Sequence, residues 1–587
     1  MNSATTSTAH STAHEPESLL ISLWQRHIHQ LNWQTLVLIA FTLAATLTIY
    51  SNGFVQDDIP IIQTNPAVTG FDVQRIVSES YWPEGYTRDL YRPLASTLLA
   101  VQWWVGEGQP VAFRIISVLL ACLATLSAWA VARMLLSPSN ALGVAALFAV
   151  HPVHVETIAV AVNQGELIVA AIIAMTTVLY VKWRRAGVLS WRQRLTVGAA
   201  VLIAGLFKEH GIVLPGMLVA AELFLLENRD SLAHRWREFR PVLLLCSLAT
   251  TMLVLARSMV LDDDLAGTFI AEGLRGQTMA GRALTMLGVV PEWFRLMLWP
   301  ASLQADYSPM EISAADGWGA AQFLGLGILM LCLLATIRYR RTAPAISFGV
   351  LWMAAALFPV SNVLVPTGIV LAERTLYLAS IGMMVTVGGM LQLLSPRLGR
   401  TRWFLPGLVG LLAILGLSRS LSRYPVWASK ESLAVQTVID APLSYRARYT
   451  LGSMRMEEGD AREGIANFRA ALYLWPHRGT LYLHLGDYYW DRGMCVPAIP
   501  MFAKGADLIL APQWRAKLVA CRMLLGQYDQ AKADALQGIR EGGSLPVFRR
   551  WIFLADSARR TGAPPGSFDL SAGPADSTVN RSTSGAP

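Results

Sequence analysis

The sequence predicts an all-α membrane protein, a polytopic helical bundle followed by a C-terminal helical solenoid. Hydrophobic residues make up 53% of the 587 residues and charged residues only 15%, whereas soluble domains carry roughly 25% charged residues. Long apolar runs fill the first two thirds of the chain, and a 34-residue repeat fills most of the rest. The net charge of +8 is typical of basic cytoplasmic loops, so we expect no nucleic-acid partner.

The apolar runs predict about eleven membrane spans, each able to cross a hydrocarbon layer of roughly 30 Å. A polar tail, residues 1–17, is expected to be disordered, and it lacks the features of a cleaved signal peptide. The first run is therefore interpreted as an uncleaved signal anchor. The expected spans are 33–51, 113–135, 141–161, 166–183, 195–207, 211–227, 241–258, 318–337, 345–364, 374–395 and 403–420. Together with the flanking residues they form a predicted membrane domain at 18–421.

Basic residues predict the orientation of this domain. Lys and Arg concentrate in the loops at 182–194, 229–240, 338–341 and 397–402. With eleven spans these loops share one face, which the positive-inside rule makes cytoplasmic, together with the N-terminus. Loops 52–112 and 259–317 and everything after residue 421 are then outside, in a periplasm or lumen. The short repeat array and the Ala- and Arg-rich composition favour a bacterial inner membrane.

The stretch 442–562 shows the spacing of tetratricopeptide repeats. The pairs that recur 34 residues apart are Pro442 and Pro476, Leu451-Gly452 and Leu485-Gly486, and Phe468 and Phe502. Small residues, such as Ala471 and Ala498, allow two helices to approach while the aromatic fills the gap between them. We expect a short solenoid with a degenerate third copy from 526, a capping helix at 545–562 and a disordered tail at 563–587. Cys495 and Cys521 lie here, and whether they pair is left open.

Charged and polar side chains from six segments are predicted to meet at the outer membrane face. They are Asp57, Asp58, Arg92, His151, His154, Glu156, Lys208, His210, Glu373 and Arg374. Such groups are costly beside hydrocarbon unless they are paired or used. Cations suit a lipid phosphate, and a carboxylate can deprotonate a hydroxyl nucleophile. Because adjacent side chains of an extended segment point to opposite sides, Asp57 and Asp58 are not expected to share one role.

Each of these residues also has a plain structural interpretation. Asp57 and Asp58 could cap a solvated turn, and Arg92 and Arg374 could anchor the chain at the head groups. The two histidines could hydrogen-bond within the bundle, and Lys208 could pair with its neighbour Glu209. The acidic run at 262–264 contains a spacing that can hold a divalent ion, but it is interpreted as a solvated loop, and we expect no metal.

The order of motifs resembles a known family. These motifs are FVQDD with NPAV, YRPL, HPVHVETIAVAVNQGELI, KEHGIVLP, ADYS and LAERTLYLASIG, followed by the repeats. Over roughly 33–540 they resemble the transmembrane and tetratricopeptide-repeat O-mannosyltransferases and their bacterial homologues, within the GT-C glycosyltransferase superfamily. The resemblance implies a membrane enzyme that moves a sugar, mannose or another hexose, from a polyprenyl-phosphate carrier to a protein hydroxyl outside the cytoplasm. It implies contact with membrane lipid and with an acceptor polypeptide or partner protein through the repeats.

The resemblance also assigns roles to individual residues. Asp57 matches the acidic residue taken as the base and Asp58 its acidic neighbour, while Arg92, Lys208 and Arg374 fall in motifs near the carrier phosphate. The resemblance places His151, His154 and Glu156 of the HPVH motif along the site. His210 and Glu373 are added as site-lining residues because the predicted topology puts them at the same membrane face. The stretch NQGEL departs from the family, because animal members typically have Gly-Arg-Ala-(Asp/Glu) there.

A single displacement with inversion and one base is the expected chemistry, since phosphate is already a good leaving group. Two other classes stay open. One is a non-catalytic membrane scaffold whose repeats assemble envelope proteins. The other is a transporter of lipid-linked sugars, which would show inverted repeats.

Overall fold

The computed structural model describes residues 33–86, 89–226, 231–261, 270–395, 403–510 and 512–562. Throughout these ranges the regular structure is helical, with no strand, which confirms the predicted all-α class. Several sequence predictions fall outside the described residues. They are the tail at 1–17, Arg229, the acidic run at 262–264, the basic residues Arg397, Arg400 and Arg402, and the tail at 563–587.

Each of the eleven predicted apolar segments forms a helix. The helices of this part of the chain are Trp33–Ala45, Pro93–Val105, Pro110–Arg133, Pro138–Ala149, Gln164–Ala186, Trp191–Phe207, Leu214–Phe224, Leu232–Leu261, Met279–Leu298, Ala320–Tyr339, Pro344–Leu357, Tyr377–Leu394 and Phe404–Arg423. Short helices at Pro66–Thr69, Val73–Ser78 and Val155–Ala159 join them.

Fewer than eleven of the described helices are long enough to cross a membrane on their own. In the described residues six helices are long and apolar enough to cross a membrane, and a seventh crossing is possible if a helix pair bent by 48° around His151 and Pro152 counts as one. Proline lacks the N–H and the space for a regular helix at that point. The other four segments form helices of 11–17 residues. The chain is a multi-pass membrane protein whose spans are partly built from short helices.

The helix Gln164–Ala186 lies at the centre of the bundle. It packs against Pro110–Arg133, Trp191–Phe207 and Tyr377–Leu394. Of its most apolar 18-residue stretch, 78% is buried inside the protein. By contrast, Ala320–Tyr339 and Phe404–Arg423 present apolar side chains outward along most of their length. A large exposed apolar surface of this kind suits contact with lipid.

Polar groups gather at both ends of the central helix. Glu166 lies in its first turn, and Arg184, eighteen residues later, forms a buried ion pair of 2.8 Å with Glu222. At 1.5 Å per residue the two positions are about 27 Å apart along the axis. The described chain therefore holds two polar layers separated by about the thickness of a bilayer core.

The predicted outer loop 259–317 contains a helix that the sequence analysis missed, Met279–Leu298. The Thr278 hydroxyl accepts a hydrogen bond from the Gly281 N–H at 3.2 Å and so caps its start. The helix packs against Ala320–Tyr339, where Gly325 lies against the backbone of Leu287. Its mixed apolar and charged residues did not reach the hydropathy of a span.

After the helix Lys430–Asp440, the chain forms three antiparallel helix pairs and a closing helix. The helices are Tyr445–Glu457 and Ala461–Leu474, Gly479–Trp490 and Cys495–Ile509, Pro512–Leu524 and Tyr528–Arg540, and Leu545–Thr561. Gly486 faces the ring of Phe502, and a Cβ at Gly486 would lie 2.7 Å from a ring atom. Gly452 and Phe468 repeat this contact 34 residues earlier. The 34-residue spacing thus reflects the same glycine-to-ring contact in the first two helix pairs.

Cys495 and Cys521 form a disulfide between successive helix pairs. Both cysteines are buried. The question that the sequence left open is settled in favour of pairing.

Glu272 links the repeat helices to the membrane part. Its carboxylate lies 2.7 Å from the Arg478 guanidinium and 3.6 Å from that of Arg446, and it accepts a hydrogen bond from the Tyr445 hydroxyl. A second contact joins Asp306 to the Ser444 hydroxyl at 2.6 Å. The start of the repeats is therefore attached to the segment before Met279–Leu298 by partly buried charge pairs.

Candidate functional site

The structure separates the two adjacent aspartates Asp57 and Asp58. Asp58 is fully buried, while Asp57 is partly exposed. Gln56, immediately before them, has a φ of 46°, a conformation that costs a non-glycine residue about 1–3 kcal/mol. This turn directs neighbouring carboxylates into different surroundings, as the sequence analysis expected.

Asp58 is held inside the protein. One oxygen lies 3.1 Å from the Arg114 guanidinium, and the other accepts the Val162 N–H at 3.0 Å. Neither Asp58 nor Arg114 is exposed to solvent. Arg114 also donates to the backbone carbonyls of Asn52 and Gly53. Asp58 therefore fixes the loop after the first helix to the bundle.

The Asp57 carboxylate accepts no hydrogen bond from a described residue. Its charge acts on Arg374 and Tyr81, so it lies within electrostatic range of both. An accessible carboxylate of this kind can take a proton from a hydroxyl. Asp57 is thus the better placed of the two aspartates to act as a base.

The three cations predicted to bind a phosphate each pair with a different carboxylate, and we call these three pairs the ion-pair cluster. Arg92 holds Glu209 by two hydrogen bonds of 3.0 and 2.6 Å. The pairs are Arg92–Glu209, Lys208–Glu166 at 2.8 Å, and Arg374–Glu156, in which the Arg374 N–H also donates to Glu156 at 3.0 Å.

The three pairs lie close together. Burial lowers the pKa of Lys208, Glu166 opposes this effect, and the charges of Arg92 and Arg374 add to it. Arg374 in turn is influenced by Asp57 and Glu166. Cations brought so near one another would repel, and the carboxylates offset this repulsion. The structure therefore brings Asp57, Arg92, Lys208 and Arg374 into one region.

The pairing leaves donors unused. Glu209 engages Nε and Nη2 of Arg92, and Nη1 has no hydrogen bond to a described residue. Toward the described residues, the Arg374 side chain donates through Nη1 only, and Lys208 engages a single carboxylate with one of its three N–H groups. Each cation of the cluster therefore keeps N–H groups that its carboxylate partner does not engage.

One local pairing differs from the sequence analysis. Lys208 does not pair with its neighbour Glu209, because the extended backbone at Lys208 turns the two side chains apart. Lys208 instead meets Glu166 from the central helix. His210 approaches the same carboxylate, with Nδ1 at 3.6 Å, and its other ring nitrogen is buried without a partner.

The two histidines of the HPVH motif are engaged in helix packing. His151 contacts the carbonyl of Met297 at 3.0 Å, and His154 contacts the Ser380 hydroxyl at 2.9 Å. The His154 ring also packs on Tyr377. The structure places both in the bundle rather than among the cations, in agreement with the hydrogen-bonding alternative.

Glu373 is buried apart from its neighbour Arg374. It accepts hydrogen bonds from the Tyr307 hydroxyl at 3.2 Å and from the Gln304 N–H. Tyr307 also lines a polar cavity of about 350 Å³ between Met279–Leu298 and Ala320–Tyr339, together with Glu292 and Glu311. Glu373 is therefore next to Arg374 of the ion-pair cluster in sequence, and it is hydrogen-bonded to Tyr307, which lines this cavity.

The stretch NQGEL forms the entry to the central helix. Gln164 exchanges two amide hydrogen bonds with Gln102, at 2.8 and 2.9 Å. Glu166, two residues later, belongs to the ion-pair cluster. At the point where the resemblance implies an arginine, this chain has a buried amide pair.

Across the described ranges, no group of three or more His, Cys, Asp or Glu side chains is arranged to hold a metal ion. The acidic run at 262–264 is not among the residues described. The expectation of a metal-independent reaction stays a prediction.

Arg114 and Tyr81 are the residues of this region that the sequence analysis did not single out. Arg114 lies near the start of an otherwise apolar helix, and an arginine in such a place signals a buried partner. Tyr81 carries no such signal, because tyrosine is ordinary in a loop. Its surroundings become visible only in the folded chain.

Fold and site define a multi-pass membrane protein with clustered ion pairs at one face and helical repeats attached there. No protein-family model matches the chain. It is 23% identical to protein O-mannosyl-transferase TMTC3 of Mus musculus over 493 residues, which are 78% of this chain and 53% of that protein. It is 22% identical to protein O-mannosyl-transferase F38B6.6 of Caenorhabditis elegans, over 75% of this chain and 62% of that protein. With protein O-mannosyl-transferase TMTC1 of Homo sapiens it shares 24% identity, over 74% of this chain and 54% of that protein.

These similarities confirm the resemblance inferred from the motifs. The chain is related to the transmembrane and tetratricopeptide-repeat protein O-mannosyltransferases over about three quarters of its length. It spans 53–62% of the length of these three relatives.

Proposed function

We propose that the protein is a membrane glycosyltransferase that moves a hexose, such as mannose, from a polyprenyl-phosphate carrier to a hydroxyl group of a protein. The observation that carries the proposal is the ion-pair cluster. Its three cations keep N–H groups that bind no described residue, and they lie near Asp57, whose carboxylate accepts no hydrogen bond from a described residue. Its relatives' names as protein O-mannosyl-transferases support the same chemistry.

The proposed reaction is one displacement at the anomeric carbon. Asp57 takes the proton of the acceptor hydroxyl, and the hydroxyl oxygen forms a bond to C1 of the sugar. The bond between C1 and the phosphate oxygen breaks, and its electron pair leaves with the polyprenyl phosphate. One base and one displacement invert the configuration, unlike the two-step route of retaining glycosidases.

The charge balance of the cluster fits this step. Three cations face three paired carboxylates, so the pairs are neutral as a set. The leaving phosphate gains one negative charge, and the unused N–H groups of Arg92, Lys208 and Arg374 would receive it. Donors fixed before the reaction stabilise developing charge without reorganising. We propose no metal in this step.

We place the site and the repeats outside the cytoplasm. The basic loops favour this orientation, and the disulfide between Cys495 and Cys521 suits an oxidising compartment. The repeats would present the acceptor polypeptide through their concave surface. The polar cavity beside Glu373 gives room for a polar acceptor near the cluster.

The test is transfer of a labelled hexose from a polyprenyl-phosphate-hexose to a Ser/Thr-containing peptide by the purified full chain in detergent or nanodiscs. Mass spectrometry would locate the sugar on the peptide, and NMR would report the anomeric configuration. Mannose and glucose donors are compared side by side. Absence of transfer with every donor, from protein that is folded and binds polyprenyl phosphate, would favour the scaffold alternative.

A further inference from the structure

The hydroxyl of Tyr81 is a buried polar group without a partner. Tyr81 is 3% exposed, and its oxygen has no hydrogen bond in the described structure. Its backbone N–H donates to the Leu90 carbonyl at 2.7 Å, which fixes the residue across the base of the loop. A buried unsatisfied hydroxyl is unfavourable, so its retention in this position calls for an explanation.

The surroundings of Tyr81 are those of the ion-pair cluster. The Arg92 guanidinium lies over the ring, 5.2 Å from its centre. The charges of Asp57 and Glu209 also reach the hydroxyl. The ring thus holds Arg92 through a cation–π contact, and the hydroxyl adds a neutral donor to the region of the ion-pair cluster.

The hydroxyl is available as a donor at any physiological pH. Burial raises the pKa of Tyr81 far above its ordinary value of 10.0, and although Arg92 acts in the opposite direction, Asp57 adds to the increase. A neutral hydroxyl donates one hydrogen bond without adding charge. It can therefore approach an anion in a cluster that already contains several carboxylates.

We propose that the Tyr81 hydroxyl donates a hydrogen bond to a phosphate oxygen of the lipid-linked sugar, next to Arg92. This inference rests on the proposed function and adds a substrate-contacting residue to it. Phosphate is favoured over the sugar because the nearest cationic partner, Arg92, suits an anion.

The experiment compares the full chain with its Tyr81→Phe variant, which keeps the ring over Arg92 and removes only the hydroxyl. Tyr86→Phe is the matched control, since Tyr86 lies in the same loop and stacks on Trp82. Binding of polyprenyl monophosphate, which carries no sugar, is measured by thermal shift and by titration. We expect Tyr81→Phe to weaken this binding about 10- to 100-fold, and Tyr86→Phe to leave it unchanged.

The stability of the unliganded variant gives a second readout. A hydroxyl with only a structural role would lower the melting temperature when removed, whereas an unsatisfied one leaves it unchanged or raises it. Equal binding of polyprenyl phosphate by Tyr81→Phe and wild type overturns the inference. So does a loss confined to the sugar-bearing donor, which would place the hydroxyl on the sugar. If the wild type binds no polyprenyl phosphate, the proposed function fails as well, and the two failures are thereby distinguished.

Discussion

Replacing Asp57 and Asp58 separately by asparagine tests the central assignment, because the two neighbours differ so strongly in surroundings. Asp57→Asn removes a carboxylate that accepts no hydrogen bond from a described residue, so the free energy of unfolding should change by less than about 0.5 kcal/mol. Loss of a general base typically lowers the rate about 10²- to 10⁴-fold. We therefore expect a stable, membrane-inserted and nearly inactive protein.

Asp58→Asn should behave in the opposite way. It leaves the fully buried Arg114 without its counter-ion, and breaking a buried ion pair on one side costs about 3–5 kcal/mol. The expected result is poor folding, seen as a lowered melting temperature and a low yield of monodisperse protein. Activity would fall in proportion to the folded protein that remains.

The assay measures sugar transfer per folded molecule, with the folded fraction taken from size-exclusion chromatography and thermal unfolding. Transfer by Asp57→Asn within threefold of the wild-type rate would refute the assignment of the base. A melting temperature of Asp58→Asn equal to that of wild type would refute the structural role given to its pair with Arg114.

Four further predictions concern the repeats and the reaction conditions. Burial acts to raise the pKa of Glu272, but its arginine partners and a tyrosine hydroxyl outweigh this and hold it below 4.5. The attachment of the first repeat should therefore be complete above pH 4.5 and be lost as the pH falls below it. Faster hydrogen exchange of residues 443–478 at low pH would detect this loss. In Glu272→Gln the exchange of these residues should no longer change with pH. Gly486→Val should overpack against Phe502 and destabilise the repeats by about 1–3 kcal/mol, and an unfolding temperature equal to wild type in calorimetry would contradict this. Reduction of the disulfide should lower repeat stability by about 2–4 kcal/mol, and an unchanged unfolding profile in reductant would contradict this. EDTA should leave sugar transfer unaffected, and recovery of lost activity by added Mg²⁺ or Mn²⁺ would contradict it.

Hydropathy located the helices well but not their lengths. The apolar run at 345–364 continues past the end of the helix Pro344–Leu357, because Pro359 and Pro366 prevent its extension. The run around His151 and Pro152 is one segment by composition and two helices in the fold. A sliding average cannot see where a backbone hydrogen bond is lost, so it does not separate one long helix from two short ones.

The motifs indicated which charged residues belong to the site, but they did not indicate which carboxylate pairs with which cation. Glu156 and Arg374 are 218 residues apart in sequence, and Arg92 and Glu209 are 117 apart. Which carboxylate meets which cation depends on helix packing, and the nearest neighbour in sequence proved the wrong partner for Lys208. Tyr81 was invisible for the same reason, since an unsatisfied hydroxyl is a property of surroundings rather than of residue type.

The attachment of the repeat helices through Glu272 has a consequence for how such a protein can vary. The first helix pair is fixed to the membrane part by the contacts of Glu272, and each later pair stacks on the one before it. Units can then be added or removed at the far end of the stack while the geometry around Asp57 stays as it is. The length of the repeat stack, and with it the distance at which a polypeptide can be bound, can then change without altering the reaction site at the membrane.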